Sequence, residues 1–141
     1  MDVEVFIAKS DEEIASCFPA FYELRPHLKS ENLLPQIRRQ EQQSYQILAL
    51  RHGDFIKSVA GFRQCEFLAW GKIVYIDDLS TISEARGNGF AGILLDWLID
   101  YAKSNGCEGV HLDSGYSRND AHRLYLQKGF ILSSHHFTLK F

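Results

Sequence analysis

Arg86-Gly87-Asn88-Gly89-Phe90-Ala91-Gly92 places three glycines within six residues (87 to 92) at the entrance to a strongly apolar segment. Glycine tolerates positive φ and leaves room for a close backbone approach, so such a loop can turn its amide N–H groups inward. If a helix starts here, those amides and the positive end of the helix dipole form an anion site suited to phosphate. The alternative is a helix entry that simply packs tightly, and the flanking sequence has to decide between them.

Upstream, Lys72 to Ile82 is rich in β-branched and aromatic residues and reads as a strand. Downstream, Phe90, Ile93, Leu94, Trp97, Leu98, Tyr101 and Ala102 recur at helical spacing, and Leu95 and Ile99 widen the stripe. Asn105-Gly106 supplies a stop after Lys103. Gly109 to Gly115 reads as a second strand, so the spacing predicts a parallel strand–helix–strand crossover with the glycine loop at its first turn.

A second segment, Asn119-Asp120-Ala121-His122-Arg123-Leu124-Tyr125-Leu126-Gln127-Lys128-Gly129-Phe130, predicts a short helix. Ser117 and Asp120 have capping-box spacing, and Lys128-Gly129 gives a basic last turn and a glycine stop. With both segments in view, the chain resembles the GNAT superfamily of acyl-CoA-dependent N-acetyltransferases. The resemblance rests on Arg86-Gly87-Asn88-Gly89-Phe90-Ala91 and on the Asn119, Ala121, Tyr125, Gly129-Phe130 pattern, in that order, over residues 72 to 141. One departure is Glu84, where the family usually carries Gln or Arg three residues before the first glycine.

Composition bounds the rest. A chain of 141 residues is expected to form one domain, 1–141, with a real core, and 45% hydrophobic content with three prolines argues against disorder. A net charge of −3 gives no reason to expect nucleic-acid binding. Cys17, Cys65 and Cys107 are widely spaced, which suits reduced thiols in a cytoplasm. No membrane span or signal peptide is read. Metal binding is not expected: His135 and His136, adjacent on a strand, would point to opposite faces.

The N-terminal half reads as a strand (Val3 to Ala8) and a helix starting at Ser10-Asp11-Glu12-Glu13 that Pro19 and Pro26 kink or end. A second helical piece spans Glu31 to Gln43, its Arg38-Arg39-Gln40-Glu41-Gln42-Gln43 end serving as a solvated face. Antiparallel strands follow at Tyr45 to Leu50 and Ser58 to Leu68, joined through His52-Gly53-Asp54. Phe130 to Phe141 is expected as a closing strand or hairpin arm. The fold class is a mixed α/β domain of GNAT type, with a mostly antiparallel twisted sheet and helices on both faces.

The resemblance implies an acetyl-CoA cosubstrate and no metal. Gly87, Asn88, Gly89, Phe90, Ala91 and Gly92 become the amide donors to pyrophosphate, with Arg86 adding charge. It also implies a bulge near Leu79-Ser80-Thr81, splaying the strand so that the pantetheine arm pairs with backbone groups of Leu79 and Thr81. Tyr125 falls where the family places a general acid for the leaving thiolate, and Asn119 where it contacts CoA. The plain alternatives are a core tyrosine and a helix cap. Strand alternation turns Asp77 toward the acceptor, as base or as structural acceptor, and Asp78 the other way; His111 and Asp113 are the alternative bases. The expected reaction is direct acetyl transfer to a primary amine, a small molecule rather than a protein lysine or N-terminus. A homodimer stays open, and so does a CoA-sensing module without turnover.

Overall fold

Why each segment takes its form can be followed along the chain in a computed structural model that describes residues 2–141. Strand β1 (Val3–Ile7) leads into α1 (Asp11–Ser16) and α2 (Phe18–Leu24). The start of α1 is a capping box: the Ser10 hydroxyl accepts from the Glu13 N–H, and Glu13 Oε1 accepts from the Ser10 N–H at 2.9 Å. Pro19 sits in the first turn of α2, where its missing N–H costs nothing, so it opens a second helix rather than kinking the first. Helix α3 (Ser30–Glu41) carries Pro35 inside it and is followed by a turn in which Ser44 holds φ at +71°. That left-handed residue turns the chain sharply into β2 (Gln46–His52).

Strands β2, β3 (Phe55–Phe67) and β4 (Gly71–Thr81) pair antiparallel, and with β1 and β5 (Gly109–Leu112) they form a sheet in the order β1-β2-β3-β4-β5. Directly opposed residues share a face. Gln46, Phe62 and Ile76 lie in one such row, and Leu48, Ala60 and Leu79 in the next. Helix α4 (Phe90–Ser104) covers this face, with the rings of Trp97 and Tyr101 set edge-on to Phe62. The other face carries Ile47, Gly61 and Asp78 in one row, and α2 packs there. Leu48, Leu50, Leu94, Leu95 and Leu98 are fully buried. Each contributes roughly 1.5–3 kcal/mol relative to an exposed position.

The chain separates into two units, one ending at His111 and one spanning residues 112–141. The second contains α5 (Asn119–Gln127), whose Tyr125 packs its ring 5.9 Å from that of Phe130. Two expectations fail here. No capping box forms: Arg118 is the cap, no side chain bonds the first turn, and Asp120 pairs with Arg123 instead. Residues 128–141 form no strand. The Phe130 N–H closes the end of α5 on the Tyr125 carbonyl, and beyond it Ile131, Leu132, Phe137 and Leu139 are exposed. Their alternation is present in the sequence, but no neighbouring strand is registered to it. His135 and His136 bond back to Tyr116 and Asp113.

The tightest constraint in the sheet is at Gly61. A Cβ built there would lie 1.7 Å from the Tyr45 hydroxyl and 2.4 Å from Cζ of its ring. Gly61→Ala is therefore expected to expel the Tyr45 ring and destabilise the fold by about 1–3 kcal/mol, the usual range for overpacking. Urea unfolding of the variant against wild type checks this, and an unchanged midpoint would contradict it.

Candidate functional site

Strand β4 gains one residue against β3. Gly61 is opposite Asp78 and Phe62 is opposite Ile76, which leaves Asp77 as the extra residue of a β-bulge. The bulge therefore lies two residues before the expected Leu79-Ser80-Thr81. This corrects the side-chain directions: strict alternation fails at the bulge, and Asp78 does not turn away from Asp77. Both carboxylates join one polar cluster. Arg63 grips Asp77 with two bonds, Nε to Oδ1 at 3.0 Å and Nη2 to Oδ2 at 2.6 Å. Asp78 accepts from the Tyr45 hydroxyl at 2.8 Å and from Arg25 Nε at 3.2 Å. Leu79, expected on the face of Asp77, lies instead with Ala60 on the α4 side.

The cluster is electrically balanced, two arginines against two aspartates. Burial is the main influence on Asp77 and raises its pKa; the Arg63 guanidinium opposes that. Burial, reinforced by the Asp78 charge, holds the Tyr45 phenol well above its ordinary value, so it stays protonated and donates. The Arg63 guanidinium also lies 5.5 Å from the Tyr45 ring centroid. The alternative bases are engaged too. The His111 ring packs 4.3 Å from that of Trp70, and Asp113 accepts from or pairs with His136 at 3.2 Å.

After the bulge, β4 is fixed along one edge and open along the other. The Ser80 carbonyl accepts from the Ser58 hydroxyl at 3.0 Å, and the Ile82 N–H donates to the Lys57 carbonyl at 3.0 Å, both toward β3. Neighbouring residues of a strand direct their backbone groups to opposite edges, so Leu79 and Thr81 face away from β3. On that side β5 is four residues long and begins where the Glu108 N–H meets the Lys72 carbonyl. At about 3.3 Å per residue it ends well short of Leu79.

The chain then makes a 3-10 turn (Ser83–Ala85) and enters the glycine loop. Gly87 and Gly89 hold φ at +83° and +77°, and a Cβ at either would meet nothing within 4 Å. The loop thus has open space at both glycines. Asn88 folds its side chain back onto the Ala85 carbonyl at 2.9 Å, closing the turn. Phe90 anchors the first turn of α4 by burying its ring against that of His52. Among the described residues, the first backbone N–H after Arg86 to find a backbone acceptor is that of Ile93, on Gly89. The six amides from Gly87 to Gly92 are thereby free to bind an anion, and exposed Arg86 stands at their entrance. These residues fit a pyrophosphate by donor chemistry and by space.

Asn119 and Tyr125 belong to the second unit. Asn119 opens α5 without capping it. Tyr125 is buried, and burial raises the pKa of its phenol, so it is protonated at neutral pH. The residues that sequence reasoning missed are Arg25, Tyr45 and Arg63. Gly61, isolated within the apolar run Val59-Ala60-Gly61-Phe62, was the available sign of a bulge or close approach.

Valine at position 87 or 89 cannot hold the positive φ without strain, whatever space surrounds it. Gly87→Val and Gly89→Val are expected to lose CoA binding by calorimetric titration while the circular dichroism spectrum is kept. Unchanged affinity in both would exclude the loop as an anion cradle.

Comparison with known proteins identifies the family and the fold. The family model described as Acetyltransferase (GNAT) family matches residues 7–130. The uncharacterized N-acetyltransferase YhdJ of Bacillus subtilis (strain 168) is 35% identical over 130 residues, 91% of this chain and 92% of that protein. The aminoalkylphosphonate N-acetyltransferase of Salmonella typhimurium (strain LT2) is 32% identical over 91 residues, 64% of this chain and 59% of that protein. In fold, a GNAT family acetyltransferase of Staphylococcus aureus superposes with a TM-score of 0.82 at 17% identity, covering 100% of both chains. Matched over most of its length and built around the glycine loop that opens α4, the chain belongs to the GNAT family and is an acetyl-CoA-dependent N-acetyltransferase.

Proposed function

We propose that the protein transfers the acetyl group of acetyl-CoA to the primary amine of a small molecule, by direct attack within a ternary complex. The observation that carries the reading is the open edge at Leu79 and Thr81 followed directly by the six free amides of residues 87 to 92. In it, the pantetheine arm lies along Leu79, Ser80 and Thr81 as a short added strand, and the pyrophosphate sits on the loop beside Arg86. Bound acetyl-CoA supplies the activated acyl group; the protein supplies position and proton transfer. No covalent acyl-enzyme is invoked.

Tyr125 is the proposed general acid for the departing thiolate. Its raised pKa is compatible with that role, because the phenol holds its proton at neutral pH and can donate it to the thiolate. Asn119 is proposed as a CoA contact on the same helix. Asp77 is proposed for the acceptor side, but with both oxygens held by Arg63 it can take a proton only by loosening that pair or through water. The balanced charge of the cluster makes general attraction of a cationic amine by Asp77 the weaker of its two roles.

The small-molecule acceptor is supported by the relative that acetylates aminoalkylphosphonates, which are amines that also carry an anion. Arg25, with its side chain 45% exposed beside the bulge, is the cation nearest to hand for such a group. A cytoplasmic location, where acetyl-CoA and reduced thiols coexist, belongs to the same proposal. No helix among the described residues is long and apolar enough to cross a membrane.

The test is thiol release from acetyl-CoA across a panel of simple amines, aminoalkylphosphonates and lysine peptides. Release is expected with a small amine. Tyr125→Phe is expected to keep CoA binding and lower kcat roughly ten- to a thousandfold. Asp77→Asn should lose less activity as pH rises and more of the amine is already neutral. Thiol release with no amine in the panel, alongside tight CoA binding, would favour a sensing module instead.

A further inference from the structure

The C-terminal end of α2 touches β4 and the 3-10 turn that follows it at two points that no motif marks. Glu23 Oε1 accepts from both the N–H and the hydroxyl of Ser83, each at 2.6 Å. Two residues on, Arg25 donates from Nε to the Asp78 carboxylate and from Nη2 to the Asp77 carbonyl, both at 3.2 Å. These contacts bracket residues 79 to 82. One end of that stretch is a bulge and the other is a 3-10 turn, the two places where the strand lacks a regular ladder. The Ser83 bonds pull the Glu23 carboxyl below the usual range, so it is ionised at neutral pH and accepts at full strength.

We propose that Glu23 and Arg25 are positioning residues for acetyl-CoA: a two-point strap from α2 that fixes the open edge at Leu79 and Thr81 relative to the glycine loop. This rests on the reading of those two elements as the pantetheine and pyrophosphate contacts. A ligand that binds at both must find them at one separation; the 3-10 turn at Ser83–Ala85 lies between them, and the bulge at Asp77 lies just before the first. On the β3 side the separation is held by Ser58 and Lys57; on the α2 side Glu23 and Arg25 hold it. Both strap residues are solvent-exposed or nearly so, and exposed polar pairs contribute little to global stability. Their effect is therefore expected in ligand affinity rather than in melting temperature.

Calorimetric titration with CoA separates the strap from the underlying reading. Wild type is expected to bind and Gly89→Val to fail. Glu23→Ala should raise Kd roughly five- to thirtyfold, in line with two lost charge-assisted hydrogen bonds. Glu23→Gln should restore most of that affinity, because one amide oxygen can accept both Ser83 bonds. Ser83→Ala should weaken binding less than Glu23→Ala, and the double variant should be no weaker than Glu23→Ala alone. Thermal melting should place all of these within a few degrees of wild type. Wild-type affinity in Glu23→Ala, with Gly89→Val still unable to bind, would overturn the strap and leave the reading of the loop in place. Failure of wild type to bind CoA would overturn both. If Glu23→Ala proved unfolded, Ser83→Ala would decide, and unchanged affinity there would again overturn the strap.

Discussion

One extra residue in β4 sets the problem that the neighbouring side chains solve. A bulge at Asp77 turns two consecutive carboxylates toward the same side of a half-buried sheet, where like charges repel and desolvation is costly. Arg63 and Arg25 supply two positive charges, and the Tyr45 hydroxyl supplies a neutral donor. Each of these has its own precondition. Tyr45 reaches Asp78 only because Gly61 has no side chain. Arg25 reaches from the cap of α2, a helix whose first turn holds Pro19. The bulge is thus stabilised by residues at the end of α2, just before β2 and within β3, a distribution that suits a feature placed for function rather than for sheet stability.

What the bulge delivers is an edge. Beyond it the strand is held by β3, while the short β5 ends before the level of Leu79 and Thr81. The same chain then supplies six unpaired amides within a dozen residues. Extended backbone groups and a helix N-terminus are the two simplest devices a fold has for gripping a linear amide-containing arm and a phosphate. Both devices use the main chain, so the proposed grip on CoA depends little on side-chain identity.

Much of this was legible. Residues 72 to 130 carry strong local signals: β-branched runs, a 3.6-residue stripe, and glycines where φ must be positive. The helix start at Ser10 and the turn at Gly53 are likewise local. The bulge position was not legible, because it depends on pairing between residues 61 and 78, and strand alternation then assigned Asp78 to the wrong face. The ion pairs of Arg25 and Arg63 span 53 and 14 residues, which no spacing rule reaches. At the C-terminus the error ran the other way. Phe137, Leu139 and Phe141 alternate as a strand should, but alternation shows only that a strand could form, and pairing requires a registered neighbour.

The most direct test of the central claim is hydrogen exchange of the wild-type protein with and without CoA, read by mass spectrometry on short peptides. If the open edge and the glycine loop form the proposed cradle, CoA slows exchange in peptides covering residues 78 to 92. Peptides covering residues 46 to 52, already paired on both sides between β1 and β3, should not change. Protection confined to other segments, with residues 78 to 92 exchanging as in the free protein, would contradict the account.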